Sequence, residues 1–295
     1  MRFALGFLRL VGKLVLALVA LVLIVAAVFA VRYRVWDPDP LDHLYAGADG
    51  VLVLGHRGAP EVAPENTIPS FLAALALGAD GVELDVVMTA DGELVVIHDF
   101  EVDRVTDGTG DVREMSLEEV KALDAGSWFS EAHAGTRIPT LGEVFDALPP
   151  DVPVNIEIKS VSLGTDGIEK VLAAFVAERD LYDRIVVSSF NPITLWRVKR
   201  ADADIPTALL YAPDLPTYLA EGWGIPIVLP DALHPEKSMV DAAYVEETHR
   251  RGQRVNVWTV NDPAEMERLI ELGVDGIITD RPDLLRDVLA ETGGK

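Results

Sequence analysis

Two histidines and three carboxylates stand at the ends of apolar, strand-like runs in this sequence. They occur in Gly55-His56-Arg57-Gly58, Glu83-Leu84-Asp85, His98-Asp99 and Glu157-Ile158-Lys159, with Pro64-Glu65-Asn66-Thr67 between the first two. Side chains alternate along a strand, so Glu83 and Asp85 share one face, as do Glu157 and Lys159. Uncompensated charge on an inward face costs on the order of several kcal/mol per ion. A bound cation and an anionic ligand would remove that cost. Glu83, Asp85 and Glu157 offer hard oxygen ligands for one divalent cation, Ca²⁺ or Mg²⁺. With Arg57 and Lys159 nearby, these five residues carry one net negative charge. A divalent ion makes the site positive by one, and a phosphodiester then brings it to neutrality. The competing reading is a salt-bridge network inside the fold.

His56 and His98 suit an acid–base pair, because an imidazole titrates at about 6.5 and one can be neutral while the other is charged. Arg57 can grip a phosphate with its planar fork, and Lys159 can act as a point charge. Glu65 stands where a helix begins, so capping competes with a site role for it. Ser189, Phe190 and Trp258 lie at strand ends and could line a substrate pocket or simply pack. Asp103, Asp107, Gly108, Gly110 and Asp111 resemble a calcium loop but miss its spacing and its final Glu, so a polar turn is expected. His43, His133, His234 and His249 have no partner in sequence and are expected at the surface or in caps.

The elements that position these residues alternate along the chain. Strand-like runs are Val51–Leu54, Gly81–Val87, Leu94–Ile97, Val154–Ile158, Arg184–Ser188, Thr207–Leu210, Ile225–Leu229, Val255–Thr259 and Gly276–Thr279. Amphipathic stretches separate most of them, which is the βα pattern of a parallel sheet covered by helices. The repeat count suits a (β/α)8 TIM barrel, and an open doubly wound sheet is the competitor. No Gly-x-Gly-x-x-Gly follows the first strand, which argues against a dinucleotide fold. Nine strands are one too many for eight places. Asp91-Gly92 between two apolar runs signals a hairpin, so Leu94–Ile97 is expected to fold back antiparallel and bring His98 beside Glu83 or Asp85. An insertion of about residues 99–140 then precedes the next helix.

These motifs, together with Trp258-Thr259-Val260-Asn261 and Gly276-Ile277-Ile278-Thr279-Asp280-Arg281-Pro282, resemble the glycerophosphodiester phosphodiesterase family. The resemblance runs from about Val51 to the C-terminus, with no departure at the core motifs. It implies a TIM barrel, a divalent metal, and hydrolysis of glycerophosphodiesters to an alcohol and sn-glycerol 3-phosphate. It also favours a site role for Glu65. In this family the glycerol hydroxyl next to the ester is thought to attack phosphorus, giving a cyclic phosphate that water opens. Two other functions compete: a lysophospholipase D-like activity on lipids with one acyl chain, and a catalytically silent barrel that binds an envelope ligand.

The ends of the chain differ sharply in charge. Residues 1–36 carry five basic residues and no acid, while the whole chain has a net charge of −23, which leaves −28 on residues 37–295. Such a surface repels polyanions, so nucleic acid is not an expected partner. The absence of cysteine excludes disulfides and a thiol nucleophile. Leu14 to Val31 is an uncharged run flanked by Arg9, Lys13, Arg32, Arg34 and Trp36, as in a spanning helix. A cleaved signal peptide, with Val28-Phe29-Ala30 at its cut, is the alternative. Three basic residues before the run and two after it favour an extracytoplasmic domain. The expected plan is an anchor at 1–36, a linker at 37–50 and a barrel at 51–295, with the oligomeric state left open.

Overall fold

The computed structural model of the chain describes residues 2–48, 50–160 and 164–293, with side chains from residue 10 onward. It opens with a long helix, α1 (Arg2–Val35), and a single turn, α2 (Asp42–Tyr45). Then come β1 (Leu52–Gly55), α3 (Ile68–Ala76), β2 (Gly81–Met88), β3 (Leu94–Val96), α4 (Leu117–Ala122), α5 (Leu141–Ala147) and β4 (Val154–Ile158). The central part holds α6 (Ile168–Arg179), β5 (Ile185–Ser189), α7 (Pro192–Ala201), β6 (Thr207–Tyr211), α8 (Thr217–Ala220) and α9 (Ile225–Val228). The last part holds β7 (Ala232–Pro235), α10 (Ala242–Arg250), β8 (Arg254–Val257), α11 (Pro263–Leu272), β9 (Gly276–Thr279) and α12 (Pro282–Thr292).

Eight parallel strands close on themselves. β1 pairs with both β2 and β9, and the order β9-β8-β7-β6-β5-β4-β2 completes the ring. This is the expected TIM barrel. β3 is the ninth strand and lies antiparallel on β2, with Val86 opposite Val96 and Met88 opposite Leu94. The Asp91-Gly92 turn therefore folds the chain back as its residues require. Between barrel and helices, Phe71, Leu84, Ile156, Leu172 and Ile185 form one buried apolar layer, each side chain contributing about 1.5–3 kcal/mol. Thr67, Asn191, Asp241 and Asp262 cap the helices that follow barrel strands, which keeps those turns tight.

One strand assignment is corrected. Ile225–Leu229 forms the helical turn α9, and the strand filling that place is Ala232–Pro235. Pro226 lies in the first turn of α9, where its missing N–H costs nothing; inside a barrel strand it would break the ladder. The same misreading hides His234. Expected at the surface, it is fully buried inside the barrel, where desolvation pushes its pKa down to about 3.

Residues 37–50 are more than a linker. Leu41 and Leu44 are buried against Val186, Ala208 and Ala232 and close the N-terminal end of the barrel. The Tyr45 hydroxyl donates to Asn256 Oδ1 at 2.8 Å, and Asn256 Nδ2 faces His234 Nε2 at 3.0 Å. At the other end, the insertion packs Val102, Val105, Val112, Val120 and Ile138 into its own small core against Val87 and Val95. Asp103 and Asp107 accept backbone N–H bonds there, as a polar turn would. In α1, Leu10–Val35 is exposed and apolar, long enough to cross a membrane or to act as a signal sequence. Its last turn touches the barrel: Arg32 Nη1 donates to the Ile227 carbonyl at 3.2 Å, and Arg251 stacks on Tyr33.

Candidate active site

The C-terminal ends of the barrel strands bring residues of four of the sequence motifs to one cavity of about 170 Å³, lined by His56, Arg57, Glu83, His98, Glu157 and Lys159 among others. Register explains the gathering. Asp85 of β2 lies beside Glu157 of β4, with Glu83 two residues below on the same face. All three carboxylates are buried, and each offers an oxygen within 4.8 Å of the others. Lys159 Nζ donates to Glu157 Oε1 at 2.7 Å and lies 3.4 Å from Asp85.

Arg57 reaches this cluster because its backbone is left-handed, with φ of 51°. That conformation aims its N–H at Glu83 Oε2, 2.9 Å away. Its guanidinium then lies between Glu65, at 3.0 Å, and Asp85, at 3.3 Å. Gly58 follows at φ 91°, where a Cβ would stand 2.5 Å from the Ser70 backbone, so only glycine allows α3 to pack so close. A non-glycine residue in this region is strained by on the order of 1–3 kcal/mol, and such strain concentrates at functional sites.

The histidines are held alike. His56 Nδ1 is 2.7 Å from Asp280 Oδ1, and Asn261 Nδ2 donates to the other Asp280 oxygen at 2.5 Å. His98 Nδ1 is 2.7 Å from Asp99 Oδ1, and Arg104 Nε donates to Asp99 Oδ2 at 2.5 Å. An Nδ1–H donated to each carboxylate leaves each Nε2 as the free ring nitrogen. Burial, with Lys159 and Arg57 adding to it, holds the His98 imidazolium below its usual stability, although Asp85 opposes the shift.

The carboxylates respond oppositely to the same surroundings. Burial raises all three. For Asp85, Lys159, Arg57, His98 and the Asn66 amide outweigh it and hold the carboxyl well below its usual range. For Glu83, burial and the Asp85 and Glu157 charges prevail and push it well up, and Glu157 is raised as well. The cluster is thus short of positive charge. Asn155, beside Glu83 in register, has a buried amide with no hydrogen-bond partner in the structure. Three hard-oxygen donors above an unpaired amide fit a hydrated divalent cation.

Four residues that matter here were not assigned roles from sequence. Asp280 and Asn261 hold His56. Asn66 embraces Asp85, with Nδ2 donating to Oδ2 at 2.8 Å and Oδ1 accepting the Asp85 N–H at 3.2 Å. Arg104 binds Glu65 through both Nη atoms, at 2.7 and 2.8 Å. Glu65 is therefore not the helix cap, a role taken by Thr67; it bridges Arg57 and Arg104. Trp258 walls the cavity, edge-on to Phe190 at 5.3 Å, and donates its indole N–H to the His234 carbonyl. Ser189 turns away and donates to the Ile158 carbonyl.

The chain as a whole is similar to known proteins. The pattern of the Glycerophosphoryl diester phosphodiesterase family matches residues 56–284. The glycerophosphodiester phosphodiesterase of Caldanaerobacter subterraneus is 44% identical over 244 residues, 82% of this chain and 99% of the relative. A crystal structure of a putative glycerophosphoryl diester phosphodiesterase from Silicibacter pomeroyi superposes with a TM-score of 0.76 at 30% identity, covering 86% of this chain and 98% of that one. A phosphodiesterase from Oleispira antarctica, solved in complex with the product sn-glycerol-3-phosphate, superposes with a TM-score of 0.70 at 29% identity, over 81% and 96% of the two chains. On this evidence the chain belongs to the glycerophosphoryl diester phosphodiesterase family and is a phosphoric diester hydrolase.

Proposed function

We propose that the chain hydrolyses glycerophosphodiesters to an alcohol and sn-glycerol 3-phosphate, with one divalent cation, Ca²⁺ or Mg²⁺, on Glu83, Asp85 and Glu157 and with His56 and His98 as the acid–base pair. One observation carries the reading: two imidazoles, each held at Nδ1 by an aspartate and free at Nε2, line one cavity with Glu83 and Glu157, two of three clustered carboxylates. The product named for the Oleispira antarctica structure agrees with it.

When bound, the cation supplies Lewis-acid polarisation of a phosphoryl oxygen. The chain's own groups do the rest. Arg57 and Lys159, already against the carboxylates, present positive charge to the phosphate and fix its orientation. The neutral imidazole accepts a proton from the attacking hydroxyl at Nε2, and the charged one returns a proton to the departing alkoxide. Asp280 and Asp99 keep each ring in the tautomer that leaves Nε2 for this transfer. Glu65 and Arg104 lock the Arg57 side chain. Phe190 and Trp258 face the departing alcohol.

The test is turnover of glycerophosphocholine by the domain from Asp37 onward. Excess chelator should abolish it and Ca²⁺ or Mg²⁺ should restore it, while full activity in chelator would remove the metal from the reading. Glu83→Gln or Asp85→Asn should weaken binding of the ion itself, measured by calorimetry. For α1 we propose a single-pass anchor with the barrel outside the cytoplasm. The full-length chain should then stay in the membrane fraction through salt and carbonate washes. A mature N-terminus at Val31 would instead mark a signal peptide and a secreted enzyme.

A further inference from the structure

Where α1 meets the barrel, a second pocket of about 490 Å³ is lined by Tyr33, Arg34, Trp36, Arg250 and Arg251. The first three stand at the end of α1 and the last two at the end of α10. The Tyr33 and Trp36 rings stack with their centroids 6.3 Å apart and their planes 17° from parallel. The Arg251 guanidinium lies 4.5 Å from the centre of the Tyr33 ring. Arg250 Nε and Arg251 Nε donate to Glu247, at 3.0 and 2.7 Å. Arg34 pairs with no carboxylate among the described residues. Three arginines against one glutamate leave two positive charges here, on a chain whose residues 37–295 carry −28. Arginines gathered in this way repel one another, and an anion set between them removes that repulsion. The position supplies the anion. The pocket adjoins the end of Leu10–Val35, the run long and apolar enough to cross a membrane. That is the depth at which lipid phosphates lie and at which Tyr and Trp rings settle.

We infer that this pocket binds the phosphate of an anionic phospholipid in the bilayer that α1 crosses. The inference rests on the anchor reading of α1 and goes beyond it, since it gives the barrel a lipid contact of its own. The lipid is bound and not cleaved. Arg34 and the remaining N–H groups of Arg250 and Arg251 offer planar forks to the phosphate oxygens. A zwitterionic lipid brings its own cation close to its phosphate, which these arginines repel, so the pocket favours a lipid with net negative charge. The consequence is mechanical. A barrel of charge −28 is pushed away from an anionic bilayer wherever its acidic surface faces it. A lipid held between the ends of α1 and α10 bridges the helix and the barrel and keeps this one face at the surface.

Two arms test this with the full-length chain. In the first, the protein in mild detergent is offered phosphatidylglycerol and phosphatidylcholine with the same acyl chains, and bound lipid is counted by native mass spectrometry. Wild type should retain phosphatidylglycerol about tenfold or more in preference. Arg34→Gln combined with Arg250→Gln should lower that preference about tenfold or more, and Arg34→Lys combined with Arg250→Lys should keep most of it. Arg113→Gln combined with Arg179→Gln removes the same charge from exposed positions elsewhere on the barrel and should leave the preference within about twofold. No preference in wild type, or equal losses in the two glutamine pairs, would overturn the pocket. The second arm tests the anchor alone. Wild type and every variant should stay sedimented through carbonate washes, because the apolar run and not the arginines holds the chain in the bilayer. Retention of wild type without a lipid preference would overturn the pocket and leave the anchor standing. Release of wild type would overturn the anchor and the lipid assignment with it.

Discussion

The two ends of the barrel use the same side chains to opposite ends. At the mouth, His56 and His98 each have a carboxylate on one ring nitrogen and open space at the other, beside five more charged groups. Toward the base, His234 lies among neutral partners: the Asn256 amide at 3.0 Å, then the Tyr45 hydroxyl, whose residue packs against Leu41 and Leu44. A histidine beside an aspartate and a cavity can exchange protons. One buried among neutral groups cannot, and only its shape and its hydrogen bond are used. Burial at the mouth is compensated by charge. At the base it is compensated by packing. Mouth variants should therefore lose rate and keep stability, and base variants should do the reverse.

The largest test of this contrast is removal of the imidazoles. His56→Ala and His98→Ala should each lower kcat by about 10²–10⁴-fold with the ion still bound, whereas His234→Gln should keep kcat. Wild-type kcat in either mouth variant would break the comparison. Next come the partners. Asp280→Asn should cost more than Asp99→Asn, about 10²-fold against about tenfold. Asp280 is fixed at the end of β9 and by Asn261, while Asp99 depends on the half-exposed Arg104. Equal losses would mean that the insertion holds His98 as firmly as the barrel holds His56.

Acid stability probes the base. An unfolded histidine titrates at about 6.5, and folded His234 near 3. Below 6.5 the unfolded chain takes up a proton that the folded chain refuses, so stability falls as pH falls, until about pH 3. From pH 7 to pH 5 this amounts to about 2 kcal/mol. Denaturant melts of wild type and His234→Gln should show it as the wild type's extra loss over that range. Equal losses would mean that His234 is not kept neutral. The smallest effect is expected from Arg104→Gln, about three- to tenfold in kcat, because an ion pair in contact with water contributes only about 1 kcal/mol.

Much of this was legible in the sequence because strands alternate and hairpins announce themselves. Asp91-Gly92 placed His98 at the carboxylates, and spacing of two placed Glu83 and Asp85 on one face. The partners of the histidines were harder. Asp280 is 224 residues from His56, and only barrel closure brings them together. That closure was expected, and pairing the first strand with the last would have set Asp280 beside His56, since Gly55 pairs with Thr279. Arg104 carried no such signal, because the insertion has no periodic register. The misplaced strand had a different cause. Ile225–Leu229 is the more apolar run, and a short run does not distinguish a strand from a buried helical turn. Ala232–Pro235 is short, and its histidine and proline weaken its strand signal.

The seal beneath the barrel bears on where this protein can be cut. The family pattern begins at His56, yet Leu41 and Leu44 already belong to the core, and the Asp39 carboxylate accepts the Leu41 N–H at 2.8 Å. A chain trimmed to the residues that the pattern matches would expose Val186, Ala208 and Ala232 to water and leave Asn256 without its tyrosine. Release from the membrane, by a protease or by design, leaves this seal intact only when the cut falls before Asp39.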